Sequence, residues 1–349
     1  MAYTTIDDPT KYFNTVLYTG NGSTQSITGV GFQPDWVWIK ERNAAQNHVV
    51  YDIVRGTTKS LIPDGTDAET GRSGITSFDS DGFSIGSNGK SNTNTDTYVA
   101  WNWKAGGSAS SNSDGTGITS SVSANTTAGF SIVSYTGSGT TSNTVGHGLS
   151  SIDWLIVKSR DEADSWFVKH KSLSSNHNLN LNQTVAQTNV TSAYSEGGLS
   201  NLSGNTFGFL DGTSDANAVN ESGEKHIAYC FKEVKGYSKF GSYTGNGNAD
   251  GTFVYTGFSP SFVIFKSSSN TTEWILHDNK RLGYNGAVRA LFPNNSDPDS
   301  SNSRMDFVSN GFKIRDSSEH WNGNGYSFIY MAFAEAPFVN SKGVPCNAR

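Results

Sequence analysis

Short apolar runs alternate from end to end with stretches of Gly, Ser, Thr and Asn. Trp36-Val37-Trp38-Ile39 is apolar at every position, so both sides of a two-residue period are buried, as in a central strand covered on both faces. In Tyr98 to Trp103 the residues Val99, Trp101 and Trp103 alternate with Tyr98, Ala100 and Asn102. The first set is expected on a core and the second on a smaller or wetter surface. Pro34 and Pro260 fall just before apolar runs, where a missing N–H costs little. Short strands at regular spacing with Gly and Asn turns predict an all-β sandwich or barrel.

The runs repeat. Tyr18-Thr19-Gly20-Asn21-Gly22 returns as Tyr135-Thr136-Gly137-Ser138-Gly139 and as Tyr243-Thr244-Gly245-Asn246-Gly247. The apolar run after each copy closes on Lys40, Lys158 and Lys266, 118 and 108 residues apart. Segments around His48, Trp166 and Trp274 follow. Then come Gly82-Phe83, Thr206-Phe207 and Gly311-Phe312, and last the strands ending near Trp103, Phe231 and Phe333. Five segments in one order, three times over, divide the chain into unit 1 (residues 10–106), unit 2 (129–236) and unit 3 (237–338). The Gly/Ser/Thr-rich residues 107–128 read as an extended or flexible linker, and residues 339–349 as a tail. Each unit is long enough to bury a core of its own. The expectation is three beads, the second and third coupled more tightly than the first and second.

Composition narrows the function. Charged residues are 16% and the net charge is −6 with no Lys/Arg cluster, which lacks the footprint of a nucleic-acid binder. No stretch approaches 18 apolar residues, so no membrane insertion is expected. The first residues have neither the basic nor the apolar region of a secretory leader. Cys230 and Cys346 are too few for a disulfide framework or a Cys-only zinc site.

Catalytic motifs are not found. Gly89-Lys90-Ser91 imitates the end of a phosphate loop without its upstream glycine. There is no Gly-x-Gly-x-x-Gly, no nucleophile elbow and no histidine pair at metal spacing. The chain is therefore expected to be non-enzymatic and to need no cofactor. The recurrent lysines read as strand ends whose stems cover apolar surface while the ammonium reaches water. Loop clusters of oxygen ligands are the candidates for Ca²⁺, above all Asp79 with Asp81 and Asp297 with Asp299; Asp64 to Asp67 and Asp211 to Asp215 are similar. Ordinary turn formation accounts for such clusters equally well. Seven of the eight tryptophans lie in strand segments and read as core. Trp321 differs, lying among Asn322, Gly323, Asn324 and Gly325 in a loop with little to bury it. Trp321, Asn322 and Asn324 are thus the candidate contacts for a sugar ligand.

Residues Gly31 to Lys40, Tyr51 to Lys59 and Glu335 to Arg349, with the opening Met1 to Gly22, resemble a domain of unknown function common in marine tailed bacteriophages, among cyanophage and pelagiphage structural proteins. The resemblance implies a virion-associated protein made of β-sandwich modules and supplies no catalytic residues. The expected fold is all-β: three tandem antiparallel β-sandwich repeats, jelly-roll or concanavalin-like. The expected function is a non-enzymatic, surface-exposed structural protein of a tailed-phage virion, made in the host cytoplasm. It would serve as a tail-fibre or receptor-binding component, or as a head-decoration protein. Its expected partners are other virion proteins and host surface glycans, in a symmetric homo-oligomer or other multi-copy assembly. The alternative is a stand-alone lectin-like carbohydrate-binding protein.

Overall fold

The computed structural model describes residues 3–191, 198–210, 218–281, 289–300 and 304–346. The chain is nearly all β, and its sheets are antiparallel. The same pair of sheets occurs three times. In unit 1 the larger sheet has the order Phe13–Thr19, Thr97–Trp103, Trp36–Glu41, Val49–Asp52, and the smaller has Gln25–Thr28, Gly82–Ile85, Ile75–Asp79. In unit 2 the corresponding strands are Phe130–Thr136, Lys225–Phe231, Trp154–Ser159, Phe167–His170, with Thr144–Gly146, Thr206–Leu210, Gly198–Ser200. In unit 3 they are Ser238–Thr244, Ser327–Pro337, Phe258–Ser267, Ile275–Asp278, with Phe253–Tyr255, Gly311–Ile314, Met305–Val308. The two sheets of each unit enclose an apolar cluster, such as Ile27, Val37, Ile39, Phe83, Ile85 and Ala100 in unit 1. Pro260 lies inside its strand at a bulge, which accommodates the absent N–H.

One local device explains the recurrent Tyr-Thr-Gly-x-Gly. The tyrosine hydroxyls of Tyr18, Tyr135 and Tyr243 donate to the carbonyls of Ser91, Val219 and Trp321 at 2.7, 2.6 and 2.9 Å. The next residue in each of those loops is a buried asparagine, Asn92, Asn220 or Asn322. Its Oδ1 accepts from the N–H between the two glycines (Asn21, Ser138, Asn246) at 2.9, 2.9 and 3.0 Å. A Cβ on the first glycine would lie 2.1, 2.1 or 2.2 Å from a carbonyl oxygen of the facing loop. The second glycine takes φ of 68°, 69° and 66°, a region that L side chains avoid. The motif therefore clamps the turn after the first strand onto the loop before the last one.

The units do not stand as beads. The other face of each large sheet points into one shared core that holds Phe13, Trp36, Trp103, Phe130, Trp154, Tyr229, Phe231, Phe262, Trp274 and Phe333. Ring contacts join every pair of units: Trp36 with Tyr229 at 4.5 Å, Phe13 with Phe333 at 5.0 Å, and Trp154 with Trp274 at 5.9 Å. The second face of Tyr98, Ala100 and Asn102 is not wet either, because it covers the interior of unit 1.

Polar contacts between units follow a cyclic rule. Trp166 Nε1 donates to Ile62 O at 2.8 Å, and Trp274 Nε1 donates to Asn180 O at 2.9 Å. The matching residue of unit 1 is His48, whose Nε2 meets Phe292 O at 3.1 Å. Each unit thus reaches the one before it, and the first reaches the third. A second set repeats the rule: Glu69 N to Arg160 O (2.8 Å), Gln187 N to Ser268 O and Asp299 N to Arg42 O (both 2.9 Å). The three units form a closed ring with approximate threefold symmetry.

Residues 107–128 are not a linker. Ser110–Asn112 and Ser120–Asn125 extend the large sheet of unit 2, with Val122 paired to Val133. Their Val122, Ala124 and Ile118 supply the apolar contacts that a flexible segment lacks. The first and last described segments lie together, with Asp7 accepting from Ser341 N and Oγ, both at 2.6 Å, and the first also reaches unit 3 where Tyr3 Oη donates to Gly257 O at 2.7 Å.

Candidate functional site

Asp64, Asp79, Asp81 and Asp299, among the carboxylates singled out by sequence, make contacts that serve the fold. Asp81 accepts from the N–H groups of Gly29 and Gly31 at 3.1 and 2.7 Å and so holds a turn. Asp79 accepts from Ser84 Oγ at 2.7 Å. Asp299 is the meeting point of Arg42, Arg281 and Arg289, at 3.0, 2.8 and 3.8 Å. Asp297 is exposed, and its own N–H donates to Asn295. Asp64 is half-buried and accepts from Asn47 Nδ2 and His48 N. Asp211 to Asp215 lie outside the described residues. Among the described residues no three His, Cys, Asp or Glu side chains come together to hold a metal ion. Nor is any helix among them long and apolar enough to cross a membrane.

The lysine expectation is corrected. Lys40, Lys158 and Lys266 are fully buried, and each Nζ donates to the carbonyl of the next residue at 2.7 Å. They lie on the same strand face as the shared-core residues (Trp36 and Trp38 in unit 1), so water cannot reach the ammonium. Burial pushes them below the ordinary value of 10.5, to about 8, 8 and 7.

Two further buried clusters link the units. Arg55 holds Asp52 at 2.5 Å, and Asp52 also accepts from the hydroxyl of Tyr229 in unit 2 at 2.8 Å. Arg281 holds Asp278 at 2.6 Å, and Asp278 accepts from Trp101 Nε1 of unit 1 at 3.0 Å. Burial opposes the charge on Asp278, but the Arg281 guanidinium outweighs it and holds the carboxyl below its ordinary range. In unit 2 the matching positions are His170 and Leu173, and His170 faces the core without a partner for Nε2. The residues of these clusters are spent on the ring and leave no open coordination or nucleophile.

The loop around Trp321 is also different from the sequence expectation. Trp321 is only 3% exposed and packs on His277 at 4.9 Å and Phe265 at 5.4 Å. The short helix Glu319–Asn322 turns it inward over the unit-3 core, which composition cannot reveal. Asn322 is wholly buried, with Nδ2 donating to Asn246 Oδ1, Asn248 O and Asp316 O. Asn324 is exposed beside Gly247, where unit 1 has Asn94 beside Gly22 and unit 2 has Ser222 beside Gly139. Asn322 and Asn324 thus belong to the clamp that all units share.

One concave feature does lie beside Trp321. A cavity of about 210 Å³ is lined by Glu273, Phe292, Ser300, Arg304, His320 and Trp321. The Arg304 guanidinium lies over the Trp321 ring at 5.8 Å and pairs with Asp316 at 3.3 Å. His320 Nδ1 accepts from Glu273 N at 3.2 Å, and the Glu273 carboxylate accepts from Asn294. Sequence reading reached Trp321 and stopped short of the other five. Their signal lay in laying Glu319-His320-Trp321 over Gly89-Lys90-Ser91, which occupies the same place in unit 1.

No curated protein and no solved structure matches the chain. A family model described as a domain of unknown function (DUF7483) matches residues 8–337, and the chain belongs to that family.

Proposed function

We propose that the protein is a non-enzymatic structural component of a tailed-bacteriophage virion, displayed on the particle as a receptor-binding tail component or a head-decoration protein. In this reading each unit is a β-sandwich of jelly-roll or concanavalin-like type. The observation that carries it is the closed ring. Three units share one aromatic core, and the lysines and clamp residues that recur in all three are consumed in hydrogen bonds within each unit. Such a body suits a rigid, protease-resistant display element whose variable loops lie at the rim. The resemblance of residues 1–22, 31–40, 51–59 and 335–349 to marine phage structural proteins gives the particle context. Other virion proteins would be its partners at one face and host glycans at another.

Gold-labelled antibody on intact particles tests this, with detection of the protein in disrupted virions as control. Label at the tail tip favours receptor binding, and label over the head favours decoration. Absence from disrupted virions overturns the reading. The cavity beside Trp321 favours a second reading, a free lectin-like protein, and a glycan array with the recombinant chain separates the two.

A further inference from the structure

We infer that the side chains of Lys90 and Asn47 join in an isopeptide bond, with Asp64 carrying the proton between them. The link is a single event of maturation rather than a turnover activity, so the inference is independent of the function proposed above.

The first argument is geometric. Lys90 lies in the short helix Gly89–Asn92, within the Gly-Lys-Ser segment that imitates a phosphate loop. Its Nζ donates to Asn47 Oδ1, and to Gln46 Oε1 at 3.2 Å. At the other end of the same amide, Asn47 Nδ2 donates to Asp64 Oδ2 at 2.9 Å. The Asp64 carboxyl is itself fixed, because its Oδ1 accepts from His48 N at 3.0 Å. An amine therefore meets the carbonyl end of the amide, and an acid meets its nitrogen. All three side chains are half-buried. Burial raises the Asp64 carboxyl above its ordinary range. Burial, with the Arg72 guanidinium nearby, lowers the Lys90 ammonium. Both shifts favour a neutral amine and a protonated acid, the pair that amide exchange uses.

The second argument is comparative. The residue before the inter-unit ring residue is Asn47, Ser165 or Glu273. The residue that accepts the ring residue's N–H is Asp64, Asn182 or Asn294. The residue two before the clamp asparagine is Lys90, Ala218 or His320. The fold asks only for an acceptor at the second of these places, and an asparagine supplies it twice. Amine, amide and acid come together in unit 1 alone.

The step balances without a co-reactant. The Nζ lone pair attacks Asn47 Cγ, the Nζ–Cγ bond forms and the Cγ–Nδ2 bond breaks. Asp64 gives its proton to Nδ2, takes one from Nζ and ends as it began, and Nδ2 leaves as ammonia. The extra proton that Lys90 carries as an ammonium departs with it as ammonium ion. The link ties the loop before Val49–Asp52 to the helix that holds the clamp residue Asn92, across 43 residues.

The test is intact-mass measurement and tryptic mapping of the full recombinant chain under denaturing conditions. The expected mass is lower than that of the sequence by one ammonia. The expected map joins residues 43–55 to residues 73–104, with Lys90 resisting trypsin. Lys90→Arg is expected to restore the full mass. Asp64→Asn, which installs the residue of the other two units and keeps the acceptor, is expected to slow the loss on the order of a hundredfold. It serves if the Lys90 variant does not fold, and circular dichroism checks both. The full sequence mass in the folded wild-type chain overturns the inference. So does loss of ammonia without the joined peptides, or a link from Lys90 to Gln46. Unchanged formation in the folded Asp64 variant overturns the part given to Asp64.

Discussion

Lys40, Lys158 and Lys266 make three buried cations in one small protein, and Lys169, which donates to the carbonyls of Ser174, Ser175 and His177, makes a fourth. Burial lowers all four, to between about 7 and 8. The unfolded chain binds these protons up to the ordinary value of 10.5, so it holds more protons than the folded chain above pH 7. Stability is therefore expected to rise from pH 7 to 9, by up to about 1 kcal/mol per pH unit for each lysine. The rise is opposed weakly above 9 by the Cys230 thiol and strongly near 10 by the buried hydroxyls of Tyr18, Tyr135, Tyr229, Tyr237 and Tyr243, all pushed up by burial. Urea unfolding at pH 7, 8 and 9 measures this, and Lys266→Met is expected to flatten the slope. The histidines act at the other end. Burial lowers His147 and His226 to about 4, and His170 and His277 to about 3, each with an unpartnered Nε2. Below their ordinary 6.5 the unfolded chain takes up protons that the folded chain refuses. Unfolding is expected to set in progressively as pH falls from 6.5 towards 4, and His170→Phe to reduce that sensitivity. The recurrence of the lysines was plain in the sequence. Their burial was not, because a strand-end lysine looks the same whether its far side meets water or another unit.

At the scale of elements, the clamp of Tyr-Thr-Gly-x-Gly on its asparagine is the part most open to single substitutions. Gly137→Ala places a methyl on the Glu221 carbonyl, and Asn220→Ala leaves Ser138 N and its neighbours without their acceptor. A loss of about 1–3 kcal/mol is expected for the asparagine change, read by denaturant unfolding. The glycines were legible as turn signals, and the strands after them as buried runs. The asparagines were not, since they follow Ser91, Val219 and Trp321, three residues with nothing in common. What they share is a position opposite the turn, a property of the folded chain alone. The same gap explains Trp321, which looks solvent-facing among Asn and Gly until the short helix Glu319–Asn322 that contains it turns it inward. The segment 107–128 misleads for a related reason. Gly, Ser and Thr compose edge strands as readily as linkers, and only pairing with Phe130–Thr136 distinguishes them.

The whole molecule is a ring whose largest apolar cluster belongs to no single unit. One cooperative thermal transition is expected in calorimetry, not three, and two resolved transitions would contradict a common core. Residues 129–236 expressed alone are expected to aggregate, because Phe130, Trp154, Trp166, Tyr229 and Phe231 lose their cover. Trp166→Phe removes the bond to Ile62 O and is expected to cost about 1–2 kcal/mol. The periodicity in the sequence disclosed three copies but not their arrangement, since the cyclic contacts run between main-chain atoms and ring nitrogens that leave no sequence signature. The junction between units 3 and 1 has no peptide link, yet it repeats the contacts of the two junctions that do. Arg42 to Asp299 there corresponds in place to Arg160 with Glu69. The order of the units along the chain is then a matter of synthesis rather than of architecture. A circularly permuted gene, opened at the exposed bond between Ser108 and Ala109 and joined by a short spacer that leaves Tyr3 to Asp7 and Ser341 in place, should yield the same ring with its seam moved elsewhere.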